Sequence, residues 1–183
     1  FSLIASNLQA ATANTYDQFL TCLAVCRAGA IAVPVNPHMR PEEVTHIEAD
    51  AGAAFIVRDV DTLAGTAPLG RSLAADPSAT AVLFYTSGTT GLPKGVLLSH
   101  ASMLHAGRAV ARHHGLGPAD RVLSSLPLYH INGQCISTTG TLCSGGSIVM
   151  PHRFSVSQWW SLVARWRPTW MNLVPTIVAY LLN

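Results

Sequence analysis

Eleven consecutive residues, Tyr85-Thr86-Ser87-Gly88-Thr89-Thr90-Gly91-Leu92-Pro93-Lys94-Gly95, concentrate the chemistry of this 183-residue chain. They follow one short apolar run, Ala81-Val82-Leu83-Phe84, and precede another, Val96-Leu97-Leu98. Glycines let backbone N–H groups approach an anion closely, hydroxyls add donors, and a lysine supplies a point charge. Lys94 is the only lysine in the chain, every other cation being an arginine. The stretch therefore reads as a phosphate cradle. It is not a Walker loop, which needs Gly-Lys-Ser/Thr four residues after its first glycine; counting on from Gly88 the fifth residue is Pro93, and Lys94 is followed by Gly95. The Gly-x-Gly-x-x-Gly spacing of a dinucleotide fold is missing as well.

Along its whole length the string resembles the phosphate loop of AMP-forming adenylating enzymes, which include acyl-CoA synthetases, aryl-CoA ligases, luciferases and peptide-synthetase adenylation domains. The resemblance implies that Thr86, Ser87, Gly88, Thr89, Thr90, Gly91 and Lys94 hold the phosphates of ATP. Backbone N–H groups from Ser87 to Gly91 are expected to cradle the β- and γ-phosphates. Lys94 and Thr86 are the catalytic candidates, stabilising the pyrophosphate leaving group electrostatically.

A second motif follows about 35 residues later, Pro127-Leu128-Tyr129-His130-Ile131-Asn132-Gly133-Gln134. It resembles the family segment at the floor of the carboxylate pocket, which implies that Tyr129, His130, Asn132 and Gly133 bind the acid. Amino-acid-adenylating relatives carry an aspartate in this region to bind the amino group. This chain has none after Asp120, so a fatty, aryl or short organic acid is the expected substrate. Gly29 to Pro37 with Pro41-Glu42-Glu43, and Val174-Pro175-Thr176, resemble further family segments less specifically.

Positioning these residues requires a frame. Ser2 to Ala5 reads as a strand, Thr15 to Arg27 as a helix, Ile31 to Val33 as a strand, and Pro41-Glu42-Glu43 as the start of a helix closing at Gly52. Ala54 to Val57 is the next strand. Such alternation predicts an α/β fold with a largely parallel sheet flanked by helices. Residues 58–80 have no sustained period and read as a linker, with a turn at Asp76-Pro77. Beyond the glycine loop, Ser99 is expected to cap a helix to about His113. A strand over Val122 to Leu126, a helix through Gly133 to Leu142 and a strand over Ser147 to Met150 follow. Ser155 and Gln158 have capping-box spacing ahead of a helix with Trp159, Val163 and Trp166 as its buried stripe. Trp170 to Val174 reads as a strand, and Pro175 opens a final helix.

Composition bounds the function. Hydrophobic residues make up 49% and charged residues 11%, which excludes general disorder. A formal charge of +2 with scattered arginines gives no nucleic-acid surface. No apolar run reaches the ~18 residues of a membrane span, and the start, Phe1 to Ala5, lacks a charged leader with a cleavage site, so a cytoplasmic protein is expected. The four cysteines and the His113-His114 and His100, His105 pairs lack metal-site spacing and are expected to be packing and solvated positions, with no metal held by this stretch.

The chain lacks an initiator methionine, and the resemblance covers only part of the family's large N-terminal domain. Residues 1–57 are expected to form a β/α segment, 58–80 a linker, and 81–183 the phosphate-loop and acid-pocket segment, with the C-terminal lid absent and the piece inactive alone. The resemblance implies ATP, Mg²⁺ and CoA as cofactor and co-substrates, and a small carboxylic acid as partner substrate. A carrier-protein acceptor, or a non-catalytic nucleotide-binding module, stands as the alternative.

Overall fold

The computed structural model describes residues 2–5, 16–36, 38–57, 76–86 and 92–183. Most of the expected linker, residues 58–75, and the loop residues Ser87 to Gly91 lie outside the described residues. The chain divides into two compact units, Phe1–Met103 and Leu104–Asn183, with the division inside one helix.

In the first unit the elements run β1 (Ser2–Ala5), α1 (Tyr16–Arg27), β2 (Ile31–Pro34), α2 (Pro41–Asp50), β3 (Ala53–Val57), β4 (Thr80–Thr86) and β5 (Lys94–Ser99), and α3 (His100–His113) follows. They build a five-stranded sheet in the order β3-β1-β2-β4-β5. Every neighbouring pair is parallel except the last. The exception follows from chain length: only residues 87–93 connect β4 to β5, whereas a parallel crossover needs a dozen or more. β2 and β4, in the middle of the sheet, are almost wholly buried, as strands covered on both faces must be. Val33, Val35, Ile47, Leu83 and Tyr85 form a core cluster between α2 and these strands.

The predicted punctuation holds in this unit. Asp76 Oδ1 accepts both the backbone N–H and the hydroxyl of Ser78 at 2.8 Å, closing the turn before β4. α2 starts at Pro41, and Glu43 accepts the Arg40 backbone N–H at 3.0 Å while pairing with its guanidinium at 3.3 Å. Ser99 Oγ accepts the Ser102 N–H at 3.1 Å, capping α3.

The second unit contains β6 (Arg121–Leu123), a π-helix over Asn132–Thr139 running into α4 (Gly140–Ser144), β7 (Ser147–Val149), α5 (Val156–Trp166), β8 (Trp170–Met171) and α6 (Pro175–Leu182). Its sheet is all parallel, in the order β7-β6-β8. The expected α/β class with largely parallel sheets is what the chain adopts. Three details differ. β6 ends at Leu123 instead of Leu126, because Ser124 Oγ turns inward to Ser137 Oγ at 2.8 Å and also accepts the Leu126 N–H. β8 ends at Met171, because the Asn172 side chain is drawn to Asn132 and Ser137. In α5 the Ser155 hydroxyl pairs with Ser157 Oγ at 3.2 Å and makes no cap bond; Trp159 is buried, Val163 half-buried and Trp166 exposed, its ring under the Arg165 guanidinium.

The helix expected from Gly133 is widened to the π form over most of its length. Gly140 N–H donates to the Cys135 carbonyl five residues back. The hydroxyls of Ser137, Thr138 and Thr139 likewise donate to the carbonyls of Asn132, Gly133 and Gln134, at 3.3, 2.9 and 3.0 Å. Three successive hydroxyls thus support the backbone spacing of i to i−5 that defines the turn.

Candidate active site

Of the phosphate-loop residues, the described ones are Tyr85, Thr86 and Leu92 to Gly95. Thr86 closes β4 and Lys94 opens β5, and the two are cross-strand partners, with the Thr86 hydroxyl 3.5 Å from the Lys94 carbonyl oxygen. Both side chains are exposed. Gly95 lies opposite Tyr85 in the ladder. A Cβ there would meet Leu83 Cδ1 at 2.8 Å and the Tyr85 ring at 3.4 Å. The mouth of the loop is therefore a register-fixed pair of strands, which makes the separation of Thr86 and Lys94 a property of the sheet.

Two residues that sequence reasoning missed flank this mouth. Tyr85 Oη donates to Asp50 Oδ2 at 2.7 Å, and His46 Nε2 lies 3.1 Å from the Pro93 carbonyl oxygen. A carbonyl only accepts, so His46 carries its proton on Nε2. Burial, and then the Asp50 carboxylate, push the Tyr85 phenol far above its ordinary value, so the hydroxyl stays a donor at any working pH. His46, Asp50, Pro93, Lys94 and Gly95 share a groove of about 510 Å³ with Leu83, Leu92 and Leu97. The one sequence signal was Asp50 itself: it is the last residue of a helix whose final turn has no basic residue, where the dipole disfavours an anion.

The second motif lies in the other compact unit. The Tyr129 and His130 rings meet at 4.6 Å between centroids, tilted by 60°. Partial burial raises the Tyr129 phenol and lowers the His130 imidazole. His130 is exposed as a residue, yet the protein atoms around its imidazole disfavour the charged form. That shift favours the neutral imidazole, which can donate at one ring nitrogen and accept at the other.

Asn132 is held by Asn172, whose Nδ2 donates to Asn132 Oδ1 at 2.7 Å and to Ser137 Oγ at 2.8 Å. Ser137 Oγ in turn meets Ser124 Oγ. Gly133 is where two segments of backbone touch: a Cβ there would sit 2.2 Å from the Pro127 carbonyl oxygen and 2.8 Å from that of Leu126. Any side chain at 133 would force them apart. Asn172, Ser137 and Ser124 were missed because their partners are 13 to 40 residues away.

Among the described residues, no three His, Cys, Asp or Glu side chains converge as a metal site. Asp50 is already committed to Tyr85. No cluster of three such side chains is therefore formed among them for the Mg²⁺ that the resemblance implies. Cys22 and Cys135 are buried and Cys26 and Cys143 half-buried, and none of the four forms a disulfide. His113 and His114 pack edge to face, and His114 also lies against Trp170. No helix among the described residues is long and apolar enough to cross a membrane.

The family model for AMP-binding enzymes matches residues 10–75 and 68–183. The chain belongs to the AMP-binding enzyme family. It is 41% identical to a sulfoacetate–CoA ligase of Cupriavidus necator, over 88% of this chain and 38% of that protein. It is 32% identical to a medium/long-chain-fatty-acid–CoA ligase of Mycobacterium tuberculosis, over 93% and 34%. Among solved structures, o-succinylbenzoate coenzyme A synthetase from Bacillus subtilis, in complex with ATP and magnesium ion, superposes with a TM-score of 0.86. It has 29% identity over all of this chain and 53% of that one. The same enzyme in complex with the acyl-adenylate intermediate OSB-AMP also gives 0.86, at 30% identity. The chain spans less than two fifths of the length of these two ligases.

Proposed function

We propose that this chain supplies the ATP-phosphate and acid-binding residues of an AMP-forming acid–thiol ligase. In the first half-reaction a carboxylate oxygen attacks the α-phosphorus of ATP, the bond to the β-phosphate oxygen breaks, and pyrophosphate leaves. In the second, the CoA thiol attacks the acyl carbon, AMP departs with its oxygen, and the thiol proton is lost to base.

The observation that carries this reading is the Thr86–Lys94 pair at the mouth of a glycine- and hydroxyl-rich loop. An ammonium at this position offsets the charge that builds on pyrophosphate as it leaves. The loop residues Ser87, Gly88, Thr89, Thr90 and Gly91 complete the cradle in this reading. Tyr129, His130, Asn132 and Gly133 line the acid site, with no carboxylate after Asp120 to hold an amino group. The names of the relatives, a sulfoacetate and a fatty-acid ligase, support an acid without one. Residues 1–183 then correspond to part of an N-terminal AMP-binding domain. A cytoplasmic setting belongs to the same reading, because ATP and CoA are its substrates.

The test is acid-dependent ATP–pyrophosphate exchange by the full-length protein, with sulfoacetate, short organic acids and fatty acids as substrates. Lys94→Ala should lower exchange by roughly 10²- to 10³-fold, the cost of removing one electrostatic stabiliser. Unchanged exchange in Lys94→Ala would refute a catalytic phosphate site and favour a nucleotide-binding module. Supplying CoA or a carrier protein then identifies the acceptor.

A further inference from the structure

We propose that Asp50 and His46, one turn apart on α2, are positioning residues for the Thr86–Lys94 pair. Asp50 holds the incoming strand through the Tyr85 hydroxyl, and His46 holds the outgoing one through the Pro93 carbonyl. The inference rests on Thr86 and Lys94 as ATP-phosphate ligands, and adds what fixes them.

Four observations converge. The two bonds, 2.7 and 3.1 Å long, join one helix to chain segments 35 and 47 residues away, on either side of the loop. Tyr85 and Pro93 are the immediate chain neighbours of Thr86 and Lys94, so a displacement of either passes to the ligand through a single rigid peptide unit. α2 is a firm base: Ile47, between the two clamping residues, is fully buried in the cluster that contains Leu83 and Tyr85. Finally, Asp50 keeps a carboxylate at the negative end of its helix, where an anion is disfavoured. The Tyr85 hydroxyl is what that carboxylate receives there.

In the full-length protein, Tyr85→Phe, Asp50→Ala and His46→Ala should each raise the KM and the calorimetric Kd for ATP roughly tenfold. This is a modest case of the misplacement penalty that reaches about 100-fold per ångström. The KM for the carboxylic acid should stay within about twofold. Asp50→Asn and His46→Gln, which keep an acceptor and an equivalent N–H, should restore ATP affinity. Tyr85→Phe combined with Asp50→Ala should be no worse than either alone, because both remove one bond.

Equal shifts in the two KM values, no shift in either, or additive losses in the double variant would each overturn the proposal. Should Asp50→Ala fail to fold, Tyr85→Phe, which keeps the ring over Gly95, decides the matter. Lys94→Ala separates the two levels. If it leaves ATP binding intact, the phosphate-site reading is wrong. If it abolishes binding while the clamp variants bind normally, only the positioning role is wrong.

Discussion

Replacing Gly133 by alanine sets two physical effects against each other. Gly133 lies in the first turn of the π-helix, and in a helix alanine is ordinarily better than glycine by about 1 kcal/mol. Propensity alone thus makes Gly133→Ala stabilising. The new methyl, however, would sit 2.2 Å from the Pro127 carbonyl oxygen, 2.7 Å from its carbon and 2.8 Å from the Leu126 carbonyl oxygen. All three are backbone atoms, so no side chain can rotate away. The segments must part by about 1 Å, which puts the cost near the upper end of the roughly 1–3 kcal/mol range for overpacking. The same movement carries Asn132 off Asn172 and loses a bond worth about 1 kcal/mol. The net is a destabilisation of about 3 kcal/mol. Urea unfolding of the full-length protein, followed by tryptophan fluorescence, measures it, and acid KM in pyrophosphate exchange should rise while ATP KM holds. A variant as stable as the parent would refute the close-approach argument, whatever its activity.

Three further outcomes follow from the described contacts. Asn172→Ala should cost about 1–3 kcal/mol in unfolding free energy by taking the donor from Asn132 Oδ1 and one of the partners of Ser137 Oγ, and should raise acid KM without changing ATP affinity. Ile47→Ala, at a fully buried site, should cost about 2–5 kcal/mol in the same urea assay. Asp120 accepts from the Thr169 hydroxyl at 2.6 Å and the Gly117 N–H at 2.7 Å, which hold its carboxyl below the ordinary value. That stabilisation is present above about pH 4 and fades as the pH falls through the native-state value. Thermal midpoints of the parent and Asp120→Asn should differ at pH 7 and converge in acid; a constant gap contradicts the assignment.

What could be read from the chain was what local chemistry decides. Prolines, glycines and hydroxyl caps mark the ends of α1, α2 and α3 within a residue or so, since their effects act over one turn. The phosphate string was legible because its residues are contiguous. Side-chain hydrogen bonds across the fold were not. Ser124 and Asn172 have the look of strand residues until their partners in the π-helix are known, and both strands stop short for that reason. The π-helix itself rests on Ser137, Thr138 and Thr139, which read in sequence as unremarkable polar positions. His46 and Asp50 read as helix surface, and only the fold brings Tyr85 and Pro93 to them. The seven-residue spacing between β4 and β5 did contain the antiparallel pairing, by forbidding a crossover.

The widened helix also makes chain length a functional variable. In an ordinary helix each residue advances the backbone by about 100°. Deleting one residue between Asn132 and Thr139 would tighten the stretch toward i to i−4 spacing and swing everything before the deletion through roughly that angle relative to α4. Removal of Ile136 would take out no hydroxyl and no member of the Asn172 network, yet it would turn Asn132 away from its partner. Homologous enzymes that keep every residue type in the Tyr129 to Gly133 motif but lack this extra residue should present its side chains in a different direction, and so select different acids.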